Sequence, residues 1–260
     1  MNPLVIKLSG RILHGSVQAQ PLWDAIAFAV KHSPVVIVHG GGNQVDALLQ
    51  KLGEETERVD GIRVTPESQI DYITGVLAGQ ISLQIVGGLK AAGVAGVGVS
   101  LGDSGMLRCC QTNAKLGRVG TAVPGETPLL STLIKAGYVP VVNSIGLDDQ
   151  GAFLNVNADD AAAAIAISTH ASELVYVTDV VGLMDSNDSV VTSVASDQVE
   201  HLIASGIATD GMAAKLRSAS DAIEGGVQDV HITDSAGAMN RLMGRSCVST
   251  VIHHAGAVTS

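Results

Sequence analysis

Two lysines, a glycine triplet and a short asparagine–aspartate run are the residues best suited to chemistry in this 260-residue chain. Lys7 stands inside the apolar run Leu4 to Leu8 and is followed by Ser9-Gly10. On an edge strand such a lysine snorkels to water; in a strand buried on both faces it must meet an anion, because an unpaired buried ammonium is costly. Val35-Val36-Ile37-Val38 leads into His39-Gly40-Gly41-Gly42-Asn43, a strand ending in three glycines before a helix. That turn is either a tight connection or a set of backbone N–H groups open to an anion, assisted by the helix N-terminus. Taken with Lys7, it predicts an anion site in the crevice at the strand ends.

Further along, Asn155-Val156-Asn157-Ala158-Asp159 alternates two amides on one face and then supplies a carboxylate. Asp159 suits two roles, capping the alanine-rich helix that follows or holding lysines by charge. Lys215 follows Gly211-Met212, with Arg217 two residues on and pointing elsewhere, so Lys215 is either a surface cation or a site residue. Arg63 lies in a loop after Gly61-Ile62, where a guanidinium either faces water or grips a carboxylate with two hydrogen bonds. Thr178-Asp179-Val180-Val181-Gly182-Leu183 ends a strand with a polar pair and a glycine turn, fit for a nucleotide edge or for a plain loop. The glycine turns match neither a Walker A loop nor G-x-G-x-x-G. The eight histidines lack metal-site spacing, and Ser9 and Ser104 lack the G-x-S-x-G setting of a hydrolase nucleophile.

The elements that must position these groups read as an α/β chain. Strands are expected at 4–8, 35–38, 94–100, 140–142, 174–178 and 230–232, the first two buried on both faces of a parallel sheet. Helices are expected at 21–30, 43–52, 159–170, 196–204 and 212–224. Two more start with the Thr65-Pro66 and Thr127-Pro128 patterns, in which threonine caps and proline takes the first helical position. The stretch 108–125 reads as hairpins beside or over the main sheet. The result is one α/β unit, residues 1–260, around a central cleft, with a lobe division between about 143 and 171.

Composition narrows the partners. A net charge of −10 with no basic cluster argues against nucleic acid, and anionic small ligands must be met by local cations and N–H groups. Three cysteines in no metal or disulfide pattern, apolar runs too short to span a membrane, and a strand at the very start predict free thiols and a cytosolic, non-membrane protein.

In combination, Lys7-Leu8-Ser9-Gly10, His39-Gly40-Gly41-Gly42, Gly61-Ile62-Arg63-Val64-Thr65, Gly117-Arg118-Val119-Gly120, Asn155-Val156-Asn157-Ala158-Asp159, Thr178-Asp179-Val180 and Asp210-Gly211-Met212 with Lys215 resemble the amino acid kinase superfamily. The branch most similar phosphorylates N-acetyl-L-glutamate in arginine biosynthesis. The resemblance covers nearly the whole chain. It implies a three-layer α/β/α sandwich with a central, mainly parallel sheet, of the carbamate kinase-like kind. An N-terminal lobe (1–155) would hold the substrate and a C-terminal lobe (156–260) the nucleotide. It further implies attack of the substrate's side-chain carboxylate on the γ-phosphoryl group of ATP, with Mg²⁺ on the phosphates and no protein metal site.

By the same resemblance, Lys7, Lys215 and Asp159 are catalytic, the lysines neutralising the phosphoryl group and Asp159 orienting them. Gly41, Gly42, Arg63, Asn155 and Asn157 would bind the substrate. Lys7, Gly10, Gly41, Thr178, Asp179, Gly182, Leu183, Met212 and Lys215 would bind the nucleotide. A homodimer without arginine feedback is implied, because the additional N-terminal helix of the hexameric relatives is not seen before Lys7. The chain departs from the family pattern at Ser9, at Ala78-Gly79-Gln80-Ile81-Ser82, at Thr233-Asp234-Ser235 and at Val248-Ser249-Thr250. Kinases of an aminoadipate derivative, aspartate or carbamate, and a non-catalytic ligand sensor, are the alternative readings.

Overall fold

The computed structural model describes residues 2–10, 20–59 and 61–256. Among these, an eight-stranded sheet runs in the order Ser193–Ala195, Thr250–His253, Asp229–Asp234, Glu173–Thr178, Leu4–Leu8, Val35–His39, Val139–Asn143, Gly96–Ser100. Neighbours are parallel except Asp229–Asp234 against Thr250–His253. Strand alternation sorts the core into two layers. Ile6, Leu8, Ile37, Val141, Val175 and Val177 meet the helices of one face. Val5, Val36, Val38, Val142, Leu174 and Tyr176 meet those of the other. The expected three-layer α/β/α arrangement is therefore present.

Leu4–Leu8 lies in the middle of this sheet, with Lys7 paired to Tyr176 on one side and Val38 on the other. The edge-strand alternative for Lys7 is thereby excluded. The 108–125 segment forms the expected hairpin, Arg108–Gln111 against Val119–Val123, and Phe153–Val156 and Ile145–Leu147 extend it into a four-stranded sheet.

Three expectations need correction. Thr65 caps no helix: its N–H donates to Leu116 O, its carbonyl accepts from Arg118 N–H, and it bridges Gly117. With its backbone committed to that bridge, the helix begins only at Ile70. That helix continues to Ala91 through a π-helical stretch, Gly75–Ile81. It is 22 residues long and contains an 18-residue stretch of mean hydropathy 1.3, long and apolar enough to cross a bilayer, contrary to the reading of short apolar runs alone. Here it packs Ile73, Val76, Leu77, Ile81, Ile85 and Leu89 into the core. Thirdly, Arg63 stands in a short strand, Ile62–Arg63, antiparallel to Arg58–Val59, with Gly61 at φ 80° turning the chain between them. The Thr127-Pro128 pattern does start a helix, Pro128–Lys135.

Candidate active site

The C-terminal ends of Leu4–Leu8 and Val35–His39 open into a cleft of about 460 Å³. Lys7, Gly10, Gly41, Gly42, Arg63, Asn155, Asn157 and Asp159 all line it, so eight of the expected residues converge there. The helix Asp210–Glu224 borders it with Gly211 and Ala214, and Lys215 joins through Asp159.

Lys7 Nζ lies 2.6 Å from Asp159 Oδ1 and Lys215 Nζ lies 2.8 Å from Asp159 Oδ2. All three side chains are buried, which overturns the surface-cation alternative for Lys215. Burial raises the cost of ionising Asp159, but the charges and hydrogen bonds of both lysines outweigh it and hold the carboxyl far below the usual range. Burial and the charge of Lys7 lower the pKa of Lys215, with Asp159 working in the opposite direction. One carboxylate therefore holds two ammonium groups that would otherwise repel. Asp159 does not cap its helix. Asn157 does, its Oδ1 accepting from Asp159 N–H at 2.9 Å, and this cap fixes the carboxylate's first-turn position.

The anion cradle is built by close approach. A Cβ at Gly10 would sit 2.9 Å from Gly41 Cα, so any side chain there would force the two turns apart. Gln44 ties them together, its Nε2 donating to Gly10 O at 2.7 Å. The helix Gly42–Lys51 starts on the third glycine and directs its N-terminus at the cleft.

Above the cleft, Arg63 is buried. It donates to Asp46 Oδ1 and to Gly42 O, while Arg58, its register partner, donates to Asp46 Oδ2 at 3.0 Å. Burial pushes the Asp46 carboxyl up, yet the two arginines hold it below its ordinary value. Asn155 Nδ2 donates to Thr65 Oγ1 at 3.0 Å. Sequence reasoning missed Asp46 and Arg58, which become site residues only when the hairpin folds over the helix, and Gln44, which joins through its bond to Gly10. Asp46 and the arginines were visible as opposite charges, but nothing in their spacing paired them.

Five expected nucleotide residues, Thr178, Asp179, Gly182, Leu183 and Met212, are not in the cleft lining. Thr178 ends the strand beside Lys7 and donates to Asp179 Oδ1 at 3.0 Å. Leu183 N–H donates to Thr250 Oγ1 at 2.7 Å, and the same hydroxyl occupies the space a Cβ on Gly182 would need.

His39, next to the triplet, is fully buried between Gly40 O (3.1 Å from Nδ1) and Ser82 Oγ (3.0 Å from Nε2). The carbonyl can only accept, so Nδ1 carries a proton, and the Ser82 hydroxyl is free to donate to Nε2 when the ring is neutral. Burial, with the charge of Lys7 adding to it, lowers the His39 pKa to about 4. A group depressed in this way contributes stability that is fully present above pH 6.5 and is lost as pH falls toward 4. NMR titration of the His39 imidazole is expected to give a midpoint near the lower value; a midpoint near 6.5 would contradict the buried, neutral assignment.

Comparisons with known proteins identify the family and the fold. The model of the amino acid kinase family matches residues 2–234. The chain is 44% identical over 224 residues to the acetylglutamate kinase of Pectobacterium carotovorum subsp. carotovorum (strain PC1), covering 85% of this chain and 87% of that protein. In structure it is similar to N-acetylglutamate synthase from Neisseria gonorrhoeae complexed with coenzyme A and N-acetyl-glutamate (TM-score 0.86, 23% identity, 99% of this chain and 61% of that one). It is also similar to carbamate kinase from Giardia lamblia bound to AMP-PNP (TM-score 0.73, 17% identity, 98% and 99%). At such identities the two structural likenesses speak to the fold alone.

Proposed function

The chain belongs to the amino acid kinase family, and on that premise we propose how its cleft works. The enzyme transfers the γ-phosphoryl group of ATP to the side-chain carboxylate of N-acetyl-L-glutamate, giving N-acetyl-L-glutamyl 5-phosphate and ADP, an early step of arginine biosynthesis. The observation that carries the reading is Asp159 holding both Lys7 and Lys215 beside a glycine cradle.

A carboxylate nucleophile is already ionised near neutral pH, so the protein needs no general base and acts by positioning and by neutralising charge. Lys7 and Lys215 would stabilise the oxygens of the phosphoryl group in flight. Gly10, Gly41 and Gly42 would offer N–H donors. Arg63 would grip the substrate α-carboxylate from the cleft side, and Asn155 and Asn157 its remaining polar groups. Mg²⁺ arrives with ATP, whose phosphates it would neutralise. Asp159 and Asp46, the lining carboxylates, are already engaged by lysines and arginines, which fits an ion held by phosphate oxygens and water.

We assign the nucleotide to the lobe 156–260 and the acyl amino acid to 1–155. The main sheet takes four adjacent strands from each stretch, meeting where Leu4–Leu8 pairs with Glu173–Thr178, in support of that division. Thr178, Asp179, Gly182, Leu183 and Met212, on the far side of this junction, would face the nucleoside.

The enzyme is also proposed to be a cytoplasmic homodimer. The helix Ile70–Ala91 leaves Tyr72 44% and Leu83 70% exposed, and Gly96–Ser100 is an open sheet edge beside it. Light scattering is expected to give twice the 26.5 kDa chain mass; a monomer would refute this.

ADP release with ATP·Mg²⁺ tests the substrate. N-acetyl-L-glutamate is expected to be turned over far faster than glutamate, aspartate or N-acetyl-aminoadipate, and preference for one of the latter would reassign the substrate while keeping the mechanism.

A further inference from the structure

Outside the residues already assigned, one fully buried polar side chain touches two members of the lysine–aspartate group. Tyr176 lies in the strand Glu173–Thr178, directly opposite Lys7 in register. Its hydroxyl donates to the main-chain oxygen of Asp159 at 3.1 Å, and Lys215 Nζ sits over its ring, 5.1 Å from the centroid.

We infer that Tyr176 is a positioning residue for phosphoryl transfer, its ring face holding the Lys215 ammonium and its hydroxyl holding the first turn that carries Asp159. The inference rests on the assignment of Lys215 to the transfer site.

Three features favour this over mere core filling. The neighbours of Tyr176 along the strand, Leu174, Val175 and Val177, are aliphatic, and another branched aliphatic side chain would continue that packing with no hydroxyl to satisfy. An ammonium over an aromatic face is attracted by the ring quadrupole, and the attraction strengthens where water is excluded, as it is here. Burial, reinforced by Asp159, Asp160 and Asp221, pushes the phenol well above its ordinary pKa, so it remains a donor at every working pH. The ring therefore offsets part of what burial and Lys7 take from the charged form of Lys215. Asp159 helps in the same direction from the helix Ala158–Ser168, and Asp179 from beyond the strand end.

The test compares three residues at position 176 in the full-length enzyme, measuring kcat, both KM values and the pH dependence of kcat. Tyr176→Phe keeps the ring, Tyr176→3,4,5-trifluorophenylalanine keeps its shape but weakens the negative face, and Tyr176→Leu removes it. The Phe enzyme is expected to keep kcat within about threefold. The fluorinated enzyme should fall about fivefold or more below it, as expected for a buried cation over a ring. Both KM values should hold, and the alkaline limb of kcat should move to lower pH. The Leu enzyme, if folded, should show the same loss and shift.

Equal kcat and equal pH limbs for the Phe and fluorinated enzymes would overturn the inference even if the Leu variant fails to fold, because a filling role is blind to ring electrostatics. A Phe enzyme as slow as the fluorinated one would overturn the role of the ring. Lys215→Ala, run alongside, separates the two levels: normal turnover there would instead sink the assignment of Lys215 itself.

Discussion

Lys215→Ala is expected to lower kcat by about 10²–10³-fold, about 3–4 kcal/mol of transition-state stabilisation, as loss of a strong oxyanion donor does in other enzymes. The KM for N-acetyl-L-glutamate should change little, because its proposed contacts are Arg63, Asn155 and Asn157 rather than Lys215. The reason for a kcat effect is geometric. Lys215 is already held 2.8 Å from Asp159 in a buried position, so it meets the developing charge without reorganising. Lys7→Ala should behave alike, and with both removed the loss should fall well short of the product of the two, since the lysines act as a unit on one carboxylate. Steady-state assays at saturating ATP decide the matter; turnover within a few-fold of the parent would remove Lys215 from the mechanism.

Asp159→Asn should cost more in stability than either lysine variant. The change leaves two buried ammonium groups facing one another with no counter-charge, and breaking a buried charge network on one side costs about 3–5 kcal/mol. The pH dependence has a definite sign. The carboxyl of Asp159 is depressed in the folded protein, so its contribution is complete above the ordinary value of 3.8 and is lost as pH falls through the folded value. The stability gap between parent and Asp159→Asn should accordingly be widest near neutrality and shrink below pH 3.8, read by denaturant unfolding at a series of pH values. A gap that did not change with pH would mean that packing, not charge, sets the effect.

Much of this site was legible because its parts carry local signals. A lysine inside an apolar run, three glycines after a β-branched strand, and two amides spaced by one residue each imply a geometry before any fold is known, and Lys7, Gly41, Gly42, Asn155 and Asn157 do meet in one cleft. The resemblance contributed what spacing could not, namely that Lys215, 56 residues from Asp159 in sequence, would share its carboxylate.

The remainder depended on long-range packing. Thr65 has the look of a helix cap, but a bridge to Gly117 takes its backbone, and only the tertiary contact decides between the two. The pairing of Asp46 with Arg58 and Arg63 requires a two-residue hairpin to fold over a helix. The neutral state of His39 follows from its complete burial, and its Ser82 partner is brought to the end of the second strand by the π-helical stretch before it. Tyr176 resembles any strand aromatic until Lys215 is seen over its ring.

The central claim is that this cleft phosphorylates a carboxylate, and an acyl phosphate is trapped directly by hydroxylamine as a hydroxamate. With ATP·Mg²⁺ and N-acetyl-L-glutamate the enzyme should yield one hydroxamate per ADP released, and Lys215→Ala should slow both together by the same factor. ADP formed without hydroxamate, or binding of both ligands with no ADP at all, would contradict phosphoryl transfer to the carboxylate.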